Sequence, residues 1–164
     1  LSVNYDGDNL AIVIGKAAYD NKNVGADKAV SFTGFELSGS AAGNYKLITQ
    51  PADTTADITA KEITINGATV EGSKVYDGTS EAKITNAGTL SDNYDGENLT
   101  IVAGSAAYDN KNVGTGKTVA FTGFALAGDA AGNYTLASQP ADTAADITVK
   151  EITINRAPGH ASRN

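Results

Sequence analysis

Short stretches in which apolar residues alternate with small or polar ones recur along the chain. Val30-Ser31-Phe32-Thr33 and Val119-Ala120-Phe121-Thr122 have this pattern, and Ile63-Thr64-Ile65 and Ile152-Thr153-Ile154 repeat it with β-branched side chains. A period of two puts alternate side chains on the buried face of a pleated strand, and β-branching suits that surface. The segment 9–14 carries a continuous apolar run from Leu10 to Ile14, the pattern of a central strand. Glycine-rich breaks at 20–25, 38–43 and Asp77-Gly78 separate these stretches. No window spaces its apolar residues as a helix would; residues 38–43 come nearest and read as a turn or a single helical turn. Strands about 8 to 12 residues apart with turn signals between them predict an all-β chain built as a β-sandwich of the immunoglobulin-like kind.

The strand pattern occurs twice. Tyr5 recurs at Tyr94, Tyr19 at Tyr108, Gly43 at Gly132 and Gln50 at Gln139, each 89 residues on. Residues 1–66 align on 90–155 without a gap, with about 49 identities in 66 positions. A period of that length is a domain, since a solenoid rung spans only about 20 to 50 residues. Residues 67–89 have no counterpart ahead of Leu1. Asp57-Ile58-Thr59 reads as the last strand of one unit and Lys61-Glu62-Ile63-Thr64-Ile65 as the first of the next. The expected organisation is tandem: an incomplete first repeat over 1–60, a complete repeat over 61–149, an opening strand of a further repeat over 150–155, and a tail or linker over 156–164. The boundary at 60 holds to within several residues.

Composition narrows the chemistry. The 164 residues contain no Cys, no Met, no Trp and one His, His160. Disulfides, a thiolate zinc site and a Cys nucleophile are excluded, and a Ser-His-Asp arrangement has only His160 to draw on. A chain without Met reads as a processed or excised piece of a longer one. The net charge of −7 repels nucleic acid and anionic membrane surfaces, so neither is an expected partner. Apolar runs such as Leu10-Ala11-Ile12-Val13-Ile14 are far shorter than the roughly 20 residues of a membrane helix, and no signal-peptide pattern stands in this piece.

Several motifs together resemble a known family. Lys74-Val75-Tyr76-Asp77-Gly78-Thr79, Asn86-Ala87-Gly88-Thr89-Leu90-Ser91 and Ala107-Tyr108-Asp109-Asn110-Lys111-Asn112-Val113-Gly114 are similar to the YDG domain. Gly132-Asn133-Tyr134-Thr135-Leu136 and Ala145-Asp146-Ile147-Thr148 continue the same order. That module is repeated in large bacterial surface proteins of the filamentous haemagglutinin-like kind. The resemblance covers 61–155 and, through the internal repeat, 1–60. It implies stalk or adhesive modules on a bacterial cell surface or in the extracellular space, and it brings no catalytic residues. Residues 156–164 depart from the pattern.

Each motif with candidate chemistry also has a structural reading. Tyr76-Asp77-Gly78 and Tyr94-Asp95-Gly96 suit a tight hairpin turn, with Asp-Gly supplying the turn and Tyr anchoring a strand end. The alternative is ligand binding, with Tyr94 stacking on a sugar and Asp95 holding its hydroxyls. Asp92, Asn93, Asp95 and Glu97 cluster hard oxygen donors and are the calcium candidates. The EF-hand register fails, because Val102 would stand where a bidentate Glu is needed. Calcium is thus the one candidate ion, and no cofactor is expected. Tyr108, Asp109, Asn110 and Asn112 form a second candidate ligand loop; the competing reading is that Asn and Asp bond their own backbone. The repeated Phe-Thr-Gly-Phe, Phe32 to Phe35 and Phe121 to Phe124, reads as a pair of core anchors around a glycine bend. A Lys–Asn cross-link would need Lys74 or Lys83 beside Asn86 and Glu81.

The expected function is therefore a stalk or adhesion repeat of a bacterial surface or secreted adhesin or fibre, and no enzyme. The alternative is a carbohydrate-binding module using the Tyr-Asp-Gly and Asp-Asn-Lys-Asn loops. Expected partners are neighbouring repeats, a host or cell-surface glycan or protein, and a second copy bound head to tail through 150–155 by strand addition.

Overall fold

The computed structural model describes residues 1, 5, 7–93 and 97–156, and these form an all-β protein. It divides into two compact units, residues 1–61 and residues 62–164. In the first lie β1 (Ala11–Val13), β2 (Lys16–Tyr19), β3 (Gly25–Thr33), β4 (Glu36–Ser38) and β5 (Thr54–Ile58). Strands β2, β3 and β5 make an antiparallel sheet with β3 at its centre. The alternation of Val30 and Phe32 with Ser31 and Thr33 is the reason β3 can serve there, since it gives one apolar face and one polar face. Residues 42–44 form one 3-10 turn, as the glycine-bracketed segment 38–43 suggested. The run at 9–14 is not a central strand. β1 pairs with β4 alone, and Ile12 and Val13 are exposed.

β6 (Lys61–Ile63) begins at the boundary residue and leads into the second unit, followed by β7 (Ile65–Asn66), β8 (Thr69–Val70), β9 (Ser73–Val75), β10 (Glu81–Ala82), β11 (Ile84–Asn86) and β12 (Thr89–Leu90). It continues with β13 (Thr100–Val102), β14 (Ser105–Tyr108), β15 (Gly114–Thr122), β16 (Ala125–Ala127), β17 (Tyr134–Leu136) and β18 (Thr143–Thr148). One five-stranded sheet runs in the order β10-β14-β15-β18-β9, and its β9–β18 pair is parallel. Short ladders join β7 to β12, β8 to β11, β13 to β16 and β6 to β17.

The core forms where one face of the five-stranded sheet meets these ladders. Register puts Ala106 opposite Phe121 and Tyr108 opposite Val119. All four are buried, together with Phe124, Ala145 and Ile147. Ile65 closes the cluster from β7, and Val70, Ile84 and Leu90 pack on it from the short ladders. Burying one such side chain contributes about 1.5–3 kcal/mol. A second cluster gathers Ile63, Leu99, Ala130 and Tyr134.

Elements of the first unit recur in the second at the same 89-residue offset: β1 at β13, β2 at β14, β3 at β15, β4 at β16 and β5 at β18. β17 has no such counterpart, because residues 45–47 form no strand. Residues 150–155 form no strand either, and Ile152 and Ile154 are 86% and 99% exposed. A strand needs a ladder partner, and among the described residues this segment has none.

Candidate functional site

A dense set of polar side chains lies around the Tyr76-Asp77-Gly78 turn. Asp77 Oδ1 accepts from the Thr79 amide at 2.9 Å, the Thr79 hydroxyl at 2.9 Å and Lys74 Nζ at 3.0 Å. These bonds favour the ionised form and hold the Asp77 carboxyl down at about 2, the Thr79 amide contributing most. Gly78, at φ +82°, completes the turn in a conformation that L side chains rarely adopt. The turn is therefore present, but it is not a hairpin. β9 before it pairs with β18, and β10 after it pairs with β14. Tyr76 anchors the strand end as expected, packing on the core. Tyr94, Asp95 and Gly96 lie outside the described residues.

Lys74 is the centre of this arrangement. Its ammonium also donates to the Thr79 carbonyl at 2.9 Å and the Glu81 carbonyl at 2.7 Å, and it stands 5.5 Å from the centroid of the Tyr108 ring. A shallow cleft of about 420 Å³ opens beside it, lined by Glu71, Lys74, Asp77, Glu81, Lys83 and Tyr108 among others. Lys83 pairs with Glu71 at 2.9 Å across exposed surface. A Lys–Asn cross-link finds no geometry here. Lys74 is committed to an ionised Asp77, Lys83 to Glu71, and Asn86 Oδ1 accepts from the Gly88 amide.

The candidate loop at 108–112 is bonded to itself. Asp109 Oδ1 accepts from the Asn110 amide, and Asn110 Oδ1 from the Asn112 amide, each at 2.9 Å. Lys117, its side chain only 10% exposed, reaches both oxygens at 2.9 Å from the bulge between Gly114 and Lys117. That ammonium, helped by the Asn110 amide, holds the Asp109 carboxyl below the usual carboxylate range. Tyr108 is buried, donates its hydroxyl to the Asp146 carbonyl at 3.1 Å, and has its own ionisation pushed up, chiefly by burial. Its ring therefore offers no open face for stacking a sugar. The first unit repeats the arrangement: Asn21 Oδ1 accepts from the Asn23 amide, and Lys28 bonds Asp20 and Asn21. The Lys28 ammonium lowers Asp20 in the same way.

Of the calcium candidates, Glu97 accepts a hydrogen bond from the Tyr134 hydroxyl at 2.6 Å. Asp8 stands at the equivalent place and accepts from Tyr45, whose ionisation that carboxylate pushes up. Asp95 lies outside the described residues. Among the described residues no three His, Asp or Glu converge as metal ligands.

One working side chain escaped the sequence analysis. Gln139 clamps the backbone of Phe124, its Oε1 accepting from the Phe124 amide at 2.7 Å and its Nε2 donating to the Phe124 carbonyl at 3.1 Å. Gln50 does the same for Phe35. The recurrence of Gln-Pro-Ala-Asp-Thr was the signal available. The clamp holds the Phe-Thr-Gly-Phe bend, whose rings meet edge to face at 5.7 Å in the second unit and 5.9 Å in the first. Gly104 lies so close to this bend that a Cβ there would stand 1.9 Å from the Thr122 carbonyl oxygen.

Comparison with known families matches residues 1–56 and 59–145 to the YDG domain. The chain belongs to the YDG domain family. The Lys74-braced turn just described lies within the matched residues. No curated protein and no solved structure matches the chain. Among the described residues, no helix is long and apolar enough to cross a membrane.

Proposed function

We propose that this chain is a structural stalk or adhesion repeat module of a bacterial cell-surface or secreted adhesin or fibre. The observation that carries this reading is where its polar motifs spend their bonds. Asp77, Asp109 and Asn110 accept from amides and ammonium groups of their own turns, and the Lys117 and Gln139 devices recur at Lys28 and Gln50. Side chains committed this way brace loops that carry no strand ladder. An anchored, ionised Asp77 is also a poor proton donor at neutral pH. The net charge of −7 argues against polyanionic partners. The extracellular location rests on the family resemblance alone. In mechanism, linked units set a reach, and adhesion follows from many weak contacts or from a different domain.

A carbohydrate-binding role would use the cleft beside Lys74, where Glu71, Asp77, Glu81 and Lys83 present polar edges. A glycan array probed with the whole chain separates the two. The stalk reading predicts no specific hit. A hit abolished by Lys83→Ala or Glu81→Gln would replace it with the binding-module reading.

A further inference from the structure

Glycine follows asparagine once in the chain, at Asn66-Gly67. That dipeptide ends β7 and opens the connection to β8. Both residues are exposed, and Gly67 stands at φ +74° with open space where a Cβ would lie. Among the described residues the Asn66 carboxamide makes no hydrogen bond, and the Gly67 amide donates none. Asn21, Asn86 and Asn110, by contrast, each hold their side-chain oxygen on the backbone amide two residues on.

We propose that Asn66 is a site of spontaneous modification in the folded protein, through a succinimide ring closed with Gly67. The Gly67 nitrogen gives its proton to solvent base and attacks the side-chain carbonyl carbon of Asn66. The new C–N bond forms, the carboxamide C–N bond breaks, and the amide nitrogen leaves as ammonia, its extra proton returned by solvent. One water then opens the ring at either carbonyl. The product is aspartate or, where the chain now runs through the side chain, isoaspartate. Glycine suits the step because it puts no Cβ in the path of attack and has the backbone freedom that ring closure demands.

Asp77-Gly78 is the internal control, since an aspartate before glycine closes the same ring with loss of water. There the carboxyl is held by Lys74 and by the amide and hydroxyl of Thr79, and in its ionised form it is a poor electrophile. The consequence at Asn66 falls on the layer that covers the five-stranded sheet. Asn66 pairs with Thr89, and a Cβ on Gly88 would stand 2.6 Å from the Asn66 carbonyl oxygen. Isoaspartate adds one carbon to the backbone at this close contact, beside Ile65 of the core, and so displaces the β7–β12 ladder. Aspartate keeps the backbone and adds one negative charge.

Peptide mass mapping of the whole chain, aged in its folded state at mildly alkaline pH, tests this. The peptide between Lys61 and Lys74 holds Asn66 as its one asparagine, so a change of amide to acid there reads this site alone. Asn66 is expected to convert severalfold faster than Asn21, Asn86 or Asn110. Isoaspartyl methyltransferase should label residue 66 and leave residue 77 unlabelled, and the aged second unit should unfold at lower urea than the fresh one. Gly67→Ala is expected to slow the conversion severalfold. Because φ +74° strains an alanine, Asn66→Ser at the exposed neighbour is the second variant, and its urea midpoint should not change with ageing. The inference is overturned by an Asn66 that stays an amide in the folded chain while converting in urea, or by conversion no faster than at the other three asparagines. Label at residue 77 ahead of 66, or an ageing loss of stability that is absent in wild type or persists in Asn66→Ser, overturns it equally.

Discussion

Tyr19 and Tyr108 stand at equivalent places in the two units, each within Ala-Ala-Tyr-Asp, and each donates its hydroxyl to an Asp carbonyl at 3.1 Å. Yet Tyr19 is 40% exposed and Tyr108 4%. Val30 and Val119, Phe32 and Phe121, and Ile58 and Ile147 form the same series, with the second of each pair the more buried. Hydrogen bonding and strand register are alike in the two units, so local sequence suffices for them. Burial differs because the second unit has Ile65, Val70 and Ile84 over the sheet, while residues 1–61 hold no counterpart of 62–89. The lesson is a separation of labour. The repeated residues build a bent, braced sheet, and the segment that precedes them turns that sheet into a core.

The sharpest way to break this comparison is to truncate equivalent core residues. Phe121→Ala is expected to destabilise the second unit by about 3–5 kcal/mol. Phe32→Ala should cost the first unit roughly half of that or less, since its ring already meets solvent. Urea unfolding followed by tyrosine fluorescence, with the two transitions assigned by NMR, reads both values. Equal losses would mean that the segment 62–89 contributes nothing to the difference.

A smaller effect is expected at the glutamine clamps. Gln139→Ala leaves the Phe124 amide and carbonyl without their side-chain partner in a partly buried place, costing about 1–2 kcal/mol. Gln50→Ala removes the same two bonds where water reaches the Phe35 backbone, so its cost should fall below about 1 kcal/mol. If the two variants lose the same stability, burial does not set the worth of the clamp.

The smallest expected effect is the acid sensitivity that Asp77 adds to the second unit. The Asp77 carboxyl sits at about 2 when folded against an ordinary 3.8. The folded state therefore binds fewer protons across that interval, and the stability is present above about pH 4 and lost as pH falls through about 2. Unfolding of wild type and Asp77→Asn from pH 5 to pH 2 should show the second unit's dependence flattened in the variant. An unchanged profile would remove the Lys74–Asp77–Thr79 turn from the account.

Much of this arrangement can be read from residue pattern. The alternation at Val30 to Thr33 and at Val119 to Thr122 marks strands that form, and Asp77-Gly78 marks a turn that forms, because both depend on neighbours in sequence. The Phe-Thr-Gly-Phe pair is likewise a core anchor where a second layer covers it. Partners distant in sequence are another matter. The expectation of a hairpin at Tyr76-Asp77-Gly78 fails because β9 finds its partner in β18, some 70 residues on. The run at 9–14 looks central because it is apolar, yet β1 pairs with β4 alone and Ile12 and Val13 are exposed. Its counterpart β13 likewise pairs with β16 alone, and Val102 is exposed there too, so apolar character by itself does not place a strand at a sheet centre. Gln139 was invisible for a related reason, since a glutamine gives no local sign that its amide will stand in for a strand 15 residues away. The candidate ligand residues Asp109, Asn110 and Asn112 carried two readings in sequence. Only their distances to one another and to Lys117 separate them.

Native-state hydrogen exchange of the whole chain at low concentration tests the central claim most directly. If the preceding segment makes the core, the amides of Val119 and Phe121 should exchange at least roughly tenfold more slowly than those of Val30 and Phe32, about 1.4 kcal/mol in opening free energy. Equal protection at the paired positions would contradict it, and would mean that the repeated sheet is stable without a covering layer.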